Sequence, residues 1–419
     1  RVDRRRLRGR QGERAVGTPA RPTYRWIDDQ RSFEEFIARA ATCPSYALDT
    51  EFHRERTYWA HLALVQLAAG GEVAVVDALA VDVTPLRTLL ESDAPCLMHA
   101  ASQDLEILER ACGTGPARLV DTQVAAGFVG LGSPGLGVPL QRRLGVTLPK
   151  ADRLTDWLRR PLSEKARLYA ATDVAYLDPL WDSLRAELEE LGRLGWALDE
   201  FEQLRSRHAE PPDPELAWWR IKEARRLKGR ARCVAQAVAA WRARRAPRVD
   251  RPVRHVLPDL SVVAIAERPP EDERQLARVR GVERRHLKGG AAEELLAAVR
   301  EGLALPEEAL RVPPRDGVDP TFRPAVTLAS AWVGQLARDA ALDTSLVATR
   351  ADIEGLVRGD PGSRLLSGWR AEVAGEPVRR LLEGRAALAF DGEGSLVIEA
   401  RSHRPMTPDH DGSDDGAAP

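Results

Sequence analysis

Four acidic side chains and one tyrosine are the residues of this chain best suited to chemistry. Residues 46–52 predict a short, mostly apolar strand that carries Asp49 and Glu51 two positions apart. Successive strand side chains point to opposite faces, so the two acids share one face, about 7 Å apart. Such acids destabilise an apolar strand unless cations or hydrogen-bond donors meet them. The alternative is a strand that ends at Asp49, with both acids solvated in a turn.

Two further acids occur downstream. Asp104 stands in the first turn of a predicted helix that follows a short apolar strand ending at His99. An acid in a first turn also complements the helix dipole, which is a structural alternative for Asp104. Tyr169 and Asp173 are four positions apart on another predicted helix, so they lie on one face. Asp173 borders the apolar side of that helix, which is unexpected unless this acid faces a site.

Taken together, these acids predict a metal-dependent reaction. Four carboxylates in one place repel one another strongly unless divalent cations neutralise them. A ligand set of oxygens without histidine or cysteine favours Mg²⁺ or Mn²⁺. Two such cations can clamp the attacking and leaving oxygens of a phosphodiester. A phenol beside the attacking water could orient that water or accept its proton. No organic cofactor is expected.

The elements that must position these residues form a predicted α/β domain at residues 25–206. Two strands joined by the Gly70-Gly71 turn indicate a β-hairpin, and strands then alternate with helices. Ser163 is the predicted cap of a long helix that is interrupted or kinked at Pro179. The predicted strands are 46–52, 62–67, 73–77 and 96–99, and the predicted helices are 32–41, 84–90, 102–111, 121–129, 136–144 and 163–191.

The remainder of the chain is predicted to be largely helical. A proline-rich linker at 210–214 precedes a small helical domain at 213–305, whose first helix is predicted at 216–226. A second proline-rich linker at 306–319 leads to a second helical domain at 320–400, in which residues 390–398 predict a terminal hairpin. Residues 1–24 and 401–419 are predicted to be disordered, the first basic and the second acidic. Residues 220–254 hold 13 Lys or Arg against two acids. This charge favours contact with a phosphate backbone, although a solvated, ion-paired helix face is the alternative.

Composition narrows the class of protein further. The chain has 419 residues, a net charge of -1 and no apolar run near the ~20 residues that a membrane span needs. Its four cysteines have no zinc-like or disulfide-framework spacing, so reduced thiols in a cytoplasmic protein are expected. No membrane association is predicted, and the sequence leaves the oligomeric state open.

Three segments resemble the exonuclease motifs of the ribonuclease D family. They are Asp49-Thr50-Glu51-Phe52, His99-Ala100-Ala101-Ser102-Gln103-Asp104-Leu105 and Tyr169-Ala170-Ala171-Thr172-Asp173-Val174. That family belongs to the DEDD 3′-to-5′ exonucleases, in the branch with tyrosine in the third motif. Asp121-Thr122-Gln123, Lys150 and residues 156–162 are also similar to the family. Residues 216–305 are similar to its HRDC module, and residues 325–400 more weakly to a second one.

The resemblance implies a fold, a reaction and a set of roles. The fold would be an RNase H-like α/β exonuclease domain, a mixed sheet flanked by helices, followed by one or two small all-α HRDC-like domains. Asp49 would bridge two metal ions, Glu51 and Asp173 would hold the ion that carries the nucleophilic water, and Asp104 would support the second ion. Tyr169 would position the water. The substrate would be the 3′ end of RNA, such as a tRNA precursor, and the products 5′-nucleoside monophosphates.

Five other residues are candidates for substrate contact, each with a structural alternative. Phe52 could stack on the terminal base or pack in the core. His99 could contact the substrate or could be a hydrogen-bonded core residue. Lys150, Arg159 and Arg160 could meet phosphates or form surface ion pairs. Two other functions stay open at this point: a DNA exonuclease of the same superfamily, and an inactive nucleic-acid-binding scaffold.

Overall fold

The computed structural model describes residues 21–132, 134–148, 155–207, 212–313 and 318–402. The described residues up to 313 form one compact unit, and those from 318 form another. The predicted tails and the linkers at 210–214 and 306–319 therefore lie wholly or partly outside the described residues. The predicted domain boundaries stay predictions.

A six-stranded mixed sheet forms the centre of the first unit. Its strand order is β1-β4-β3-β2-β5-β6, with β3 antiparallel to both β2 and β4 and the remaining pairs parallel. The predicted β3–β4 hairpin is present, and its turn uses Gly70 and Gly71, both at positive φ. The strands are β1 Arg25–Ile27, β2 Tyr46–His53, β3 His61–Ala69, β4 Glu72–Asp77, β5 Cys96–Met98 and β6 Leu119–Asp121.

Helices cover both faces of this sheet, as the α/β prediction requires. On one face, Phe33 and Phe36 of α1 are buried in a core that also includes Leu48 of β2. On the other face, α6 packs through Ala170 and Ala171 against the sheet. The helices of this part are α1 Gln30–Ala40, α2 Arg87–Leu90, α3 Ser102–Cys112, α4 Thr122–Phe128, α5 Gly137–Leu144, α6 Glu164–Ala175, α7 Leu177–Glu190 and α8 Leu194–Arg205.

The single long helix predicted at 163–191 is two helices. Ser163 caps α6 as predicted, because its side chain accepts a hydrogen bond from the Ala166 N–H. The break falls at Tyr176, three residues before Pro179. A proline ring clashes with the carbonyl four positions earlier, here that of Ala175, so the helix ends there and α7 starts anew.

The rest of the first unit is a helical module that contacts the sheet domain. Its core is centred on α9 and includes Trp218, which is fully buried and donates from Nε1 to the Arg311 carbonyl at 2.8 Å. The helix predicted at 216–226 is instead a pair of short 3₁₀ turns, Pro214–Arg220 and Ala224–Arg226. The α-helices of the module are α9 Arg230–Arg248, α10 Val253–Val256, α11 Asp259–Glu267, α12 Glu273–Leu276 and α13 Ala291–Ala304.

The second unit is mainly helical and ends in a two-stranded antiparallel sheet, close to the hairpin that residues 390–398 predict. Its helices are α14 Arg323–Ala340, α15 Thr344–Val347, α16 Arg350–Arg358, α17 Gly368–Arg370, a π-helical turn Ala371–Gly375 and α18 Glu376–Leu382, and its strands are β7 Ala386–Phe390 and β8 Leu396–Ala400. Its likeness to an HRDC module stays a prediction. Among the described helices of the chain, none has the length and apolar character needed to cross a bilayer.

Candidate active site

Strand β2 carries Asp49 and Glu51 on the sheet face that α6 covers. Asp49 is paired with Gln66 and Glu51 with Leu64 across the β2–β3 ladder, and cross-strand partners project to the same face. Leu64 packs against the small side chains of α6 on this face. The two strand acids therefore do not lie in a solvated turn, which was the alternative; the strand runs on to His53.

Three carboxylates from two elements meet on this face. One oxygen each of Asp49, Glu51 and Asp173 lie within 4.8 Å of one another. Two ligand oxygens on opposite sides of one Mg²⁺ are about 4.2 Å apart, since each Mg–O distance is about 2.1 Å. The spacing of the three oxygens is therefore compatible with a shared ion.

Asp104 is the fourth carboxylate of the site. It is only 7% exposed, in the first turn of α3, and its Oδ1 accepts a short hydrogen bond from the Thr50 hydroxyl between the two strand acids. The corner before α3 is held by Asp121, whose carboxylate accepts from the N–H groups of Ala100 and Ala101 at 3.2 and 2.9 Å. Ala100 adopts a left-handed conformation (φ 63°) at this corner. Asp121 and the strained Ala100 therefore fix the point at which α3 presents Asp104.

The electrostatics of the four acids favour the binding of cations. Burial and the neighbouring carboxylates raise the pKa of Asp49 well above its ordinary value. The same causes raise the pKa of Glu51 to about 8 and that of Asp173 to about 8, while burial raises the pKa of Asp104 to about 6. Acids that resist ionisation in this way are neutralised most effectively by hard divalent cations.

Tyr169 lies beside these acids. It is one helical turn before Asp173 on α6, and its ring stacks on Trp157 with centroids 6.4 Å apart. Burial raises its pKa, and the charges of Asp173, Glu51 and Asp49 raise it further. The phenol is consequently neutral in the metal-free protein and able to donate a hydrogen bond.

The five residues line one open cleft of about 340 Å³. No lysine or arginine is among the described residues that line it. Within this described lining the carboxylates meet no protein cation, and the donor set fits Mg²⁺ or Mn²⁺. The cleft is lined by Asp49, Thr50, Glu51, Phe52, His99, Ala100, Gln103, Asp104, Leu136, Tyr169 and Asp173.

Phe52 and His99 also line the cleft, as expected of substrate-side residues. Phe52 follows a β-bulge in the β2–β3 ladder, which alters the direction of side chains near it. The ring of His99 lies between Thr122 Oγ1, 2.9 Å from Nδ1, and the Pro134 carbonyl, 3.1 Å from Nε2. Burial lowers its pKa, so the ring is neutral. The hydrogen-bonded alternative thus describes His99, which forms a wall of the cleft.

The three predicted cationic contacts have different outcomes. Arg160 forms a bidentate pair with Asp77, with Nε–Oδ2 at 2.6 Å and Nη2–Oδ1 at 2.5 Å. Its predicted role in binding phosphate is therefore wrong, because its donors are directed into the protein; the ion-pair alternative is correct. Arg159 is exposed but does not line the cleft. Lys150 lies outside the described residues.

Three supporting residues were missed by the sequence reasoning. Thr50 and Asp121 hold Asp104 and its corner through the hydrogen bonds described above. Gln66 is fully buried opposite Asp49, and neither of its side-chain amide atoms has a hydrogen-bond partner among the described residues. A polar residue inside the apolar run 62–67 was the available signal for Gln66. No comparable signal marks Thr50, because its partner is 54 positions away.

Comparisons with known proteins agree with this geometry. The family model for 3′-5′ exonucleases matches residues 24–189, and the HRDC domain model matches residues 231–299. Ribonuclease D of Gluconacetobacter diazotrophicus is 39% identical over 85% of this chain and 92% of its own length. Ribonuclease D of Jannaschia sp. is 37% identical over 87% of this chain and 96% of its own length.

A solved structure extends the likeness to the fold. The crystal structure of Escherichia coli RNase D, described as an exoribonuclease involved in structured RNA processing, matches with a TM-score of 0.74 and 32% identity. The match covers 86% of this chain and 99% of that one. Motifs, fold and relatives thus agree over most of the sequence, and the chain belongs to the ribonuclease D family of 3′-5′ exoribonucleases.

Proposed function

We propose that the cleft hydrolyses the last phosphodiester of an RNA 3′ end with two divalent cations, Mg²⁺ or Mn²⁺, and releases 5′-nucleoside monophosphates. The observation that carries this proposal is the convergence of oxygens from Asp49, Glu51 and Asp173 within 4.8 Å in a cleft that also contains Asp104 and Tyr169. When bound, the cations would supply water activation and neutralisation of the developing charge.

The chain's own residues have distinct parts in this proposal. Asp49, Glu51 and Asp173 would hold the cations through their carboxylate oxygens. Asp104, fixed by Thr50, would support the binding of the cations from α3. Tyr169, on the same face of α6 as Asp173 and in the same cleft, would orient the attacking water. Phe52, which follows the β-bulge and lines the cleft, would stack on the terminal base.

We further propose that the physiological substrates are tRNA precursors or other small structured RNAs in the cytoplasm. The printed description of the Escherichia coli relative, structured RNA processing, supports this substrate class. The basic residues between 220 and 254 lie in the helical module that packs on the nuclease domain, where they could hold the body of the substrate. Free thiols at all four cysteines are compatible with a reducing compartment.

The test is a product analysis with one inactivating variant. The protein is incubated with 3′-tailed tRNA and with single-stranded DNA of the same sequence, in Mg²⁺, Mn²⁺ or EDTA. We expect stepwise shortening of the RNA to 5′-monophosphates with either metal and none in EDTA. Asp49→Asn should lower turnover by at least about 1,000-fold, because it removes a metal ligand, while RNA binding is retained.

Each failure has a distinct meaning. Preferred digestion of the DNA would replace RNA as the substrate. Intact RNA with every metal would favour a binding scaffold instead of an enzyme. Undiminished turnover by Asp49→Asn would reject the assigned cleft.

A further inference from the structure

We refer to the cleft lined by Asp49, Glu51, Asp104, Tyr169 and Asp173 as the acidic cleft. A second pocket, of about 330 Å³, lies in the helical module and shares no lining residue with it. Its charge is the reverse of that cleft: the described residues that line it include three arginines, one lysine and two histidines, and no aspartate or glutamate. The lining residues are Arg245, Val249, Arg251, His255, Val256, Arg285, His286, Lys288, Gly289 and Ala291. We refer to them as the basic pocket.

Part of this positive charge is used to build the pocket. Arg245 pairs with Glu294 at 2.8 Å and donates to the Gly289 carbonyl at 2.9 Å, which fixes the turn that ends the pocket. Arg285 pairs with Glu283 at 3.1 Å. These two arginines are structural supports whose charges are already balanced in the folded protein.

The exposed basic side chains that remain in the pocket have no such partner among the described residues. Arg251, His255 and Lys288 are exposed, and among the described residues none of their side chains makes a hydrogen bond or ion pair. Exposed arginines elsewhere in this chain commonly pair with a neighbouring acid, as Arg254 does with Asp259 at 3.0 Å. Converging unpaired cations on a concave surface raise the local potential and attract an anion.

The backbone of the basic pocket is open to a close approach. Gly289 and Gly290 both have positive φ (63° and 76°) at the start of α13. A Cβ added at Gly289, which lines the pocket, would meet only Arg245 Nη2, at 3.8 Å, so the surface above this turn is open apart from that guanidinium. A phosphate oxygen could reach the turn without contact with side chains other than the cations.

The position of the basic pocket relates it to the nuclease domain. Arg251 directly follows Asp250, whose carboxylate accepts from the Trp59 N–H at 3.0 Å and lies 3.0 Å from His61 Nε2. Trp59 lies in the β2–β3 connection, which begins after His53, one residue past Phe52 of the acidic cleft, and His61 is the first residue of β3. A strand whose 3′ end occupies the cleft could therefore continue past this connection to the module.

We propose that the basic pocket binds a backbone phosphate of the same RNA strand, several nucleotides 5′ of the residue being removed. This inference rests on the proposed function and adds a second contact point to it. Arg251 and Lys288 would contact the phosphate oxygens, and His255 would border them. The bound group is a phosphodiester, so the contact is independent of base sequence and sensitive to salt.

The test compares the R251Q/K288Q double variant with R268Q/R278Q in the full-length protein. The control loses the same charge from exposed arginines of the same module that lie outside the basic pocket. We expect R251Q/K288Q to raise KM for a 3′-tailed RNA about tenfold and to reduce the salt slope of binding by about 0.7, the value for one phosphate contact of a single strand. Its kcat, and its rate on a dinucleotide, should match those of the control.

Several outcomes would overturn the inference. They are an unchanged KM on the long RNA, an equal rise in the control, or a loss that is as large on the dinucleotide. If inorganic phosphate raises the melting temperature of the wild type but not of R251Q/K288Q, while KM on RNA is unchanged, the pocket holds a free phosphate. Fluorescence anisotropy in EDTA measures RNA binding without hydrolysis, and so tests the basic pocket separately from the proposed nuclease function. An RNA affinity that is reduced in R251Q/K288Q and not in the control supports RNA binding by the pocket even if no nuclease activity is found.

Discussion

At the scale of single residues, the site depends on how strongly four carboxylates resist being charged together. Glu51 and Asp173, each with a pKa of about 8, retain protons that the unfolded chain releases near pH 4. The folded, metal-free protein thus binds more protons than the unfolded chain between these values. Its stability falls as pH rises through this interval, which is the reverse of the usual behaviour of paired carboxylates.

This gives a prediction for melting temperature in EDTA between pH 6.5 and 8.5. His99 and His286, whose pKa values are lowered, give a smaller effect of opposite sign that ends by about pH 7.5, because above it they are neutral in both the folded and the unfolded state. Over the chosen interval we expect the melting temperature to fall as pH rises, and the stabilisation by added Mg²⁺ or Mn²⁺ to grow. Scanning calorimetry measures both quantities.

The matched variant for this prediction is Glu51→Gln, which removes one of the titrating groups. Its melting temperature in EDTA should depend less on pH, and its response to metal should be weaker. A wild-type melting temperature that rises from pH 6.5 to 8.5 in EDTA would contradict the crowding of the four acids.

Tyr169 gives a second residue-scale prediction. Tyr169→Phe keeps the ring that stacks on Trp157 and removes only the hydroxyl. We expect kcat on RNA to fall about 10- to 100-fold, as for a misplaced nucleophile, while the metal-induced rise in melting temperature stays at the wild-type value. Single-turnover kinetics and calorimetry with Mn²⁺ provide the two measurements. An unaltered kcat would exclude the hydroxyl from the reaction.

The sequence alone predicts which of these residues lie together wherever their spacing places them on one face of a strand or helix. Two positions on a strand and four on a helix determine a shared face, so Asp49 with Glu51 and Tyr169 with Asp173 could be paired in advance. The partners of Asp104 and His99 could not be predicted in this way. Thr50 and Thr122 reach them only after strands β2, β5 and β6 have aligned, and no local pattern encodes that alignment.

At the scale of elements, the β-bulge between β2 and β3 positions the end of the active-site strand. The ladder pairs Glu51 with Leu64 but Phe52 with Leu62, so Ala63 has no partner on β2. The Ala63 carbonyl accepts from Arg160 Nη2 at 3.0 Å and from the Ala78 N–H at 3.2 Å, and Arg160 also binds Asp77. Arg160 therefore holds the bulge beside Glu51 and acts as a positioning residue.

Neighbouring arginines allow this role to be tested. Arg160→Ala should lower the free energy of unfolding by about 3 kcal/mol, because it leaves the buried Asp77 carboxylate unpaired. It should also reduce kcat, since Glu51 and Phe52 lose the support of the bulge. Arg159→Ala, at an exposed position, should leave stability within about 0.5 kcal/mol of wild type. Denaturant unfolding and RNA turnover distinguish the two.

A result in which both variants retain full stability would remove the proposed role of Arg160. The sequence alone could not separate these arginines, because they are adjacent, identical in type and equally available to a phosphate. The difference comes from Asp77, which lies 83 positions earlier and is brought close only by the sheet.

At the scale of the whole molecule, the nuclease domain and the helical module are more closely joined than a linker at 210–214 suggests. Tyr58 packs against the core of the module. Trp59 donates from Nε1 to the Pro247 carbonyl at 3.2 Å, and the Arg110 guanidinium lies 3.8 Å from the centroid of its ring. Sequence patterns separate regions by composition, whereas this contact comes from two aromatic residues in a loop of the other domain.

The joined arrangement predicts how the first unit unfolds. In the wild type we expect its nuclease and helical parts to melt in one cooperative transition, because each buries apolar surface of the other. Trp59→Ala removes the ring that contacts both Pro247 and Arg110 and should weaken the junction by about 2–3 kcal/mol. The single transition should then separate into two, as measured by scanning calorimetry.

The control for Trp59→Ala is Arg54→Ala, because Arg54 lies in the same loop but pairs with Glu106 of the nuclease domain at 2.7 Å. That exposed pair contributes little, so the transition should remain single. Two transitions in the wild type, or one unshifted transition in Trp59→Ala, would mean that the junction carries little stability. The helical module would then be free to move relative to the cleft, and a phosphate bound to it could not fix the position of the RNA 3′ end.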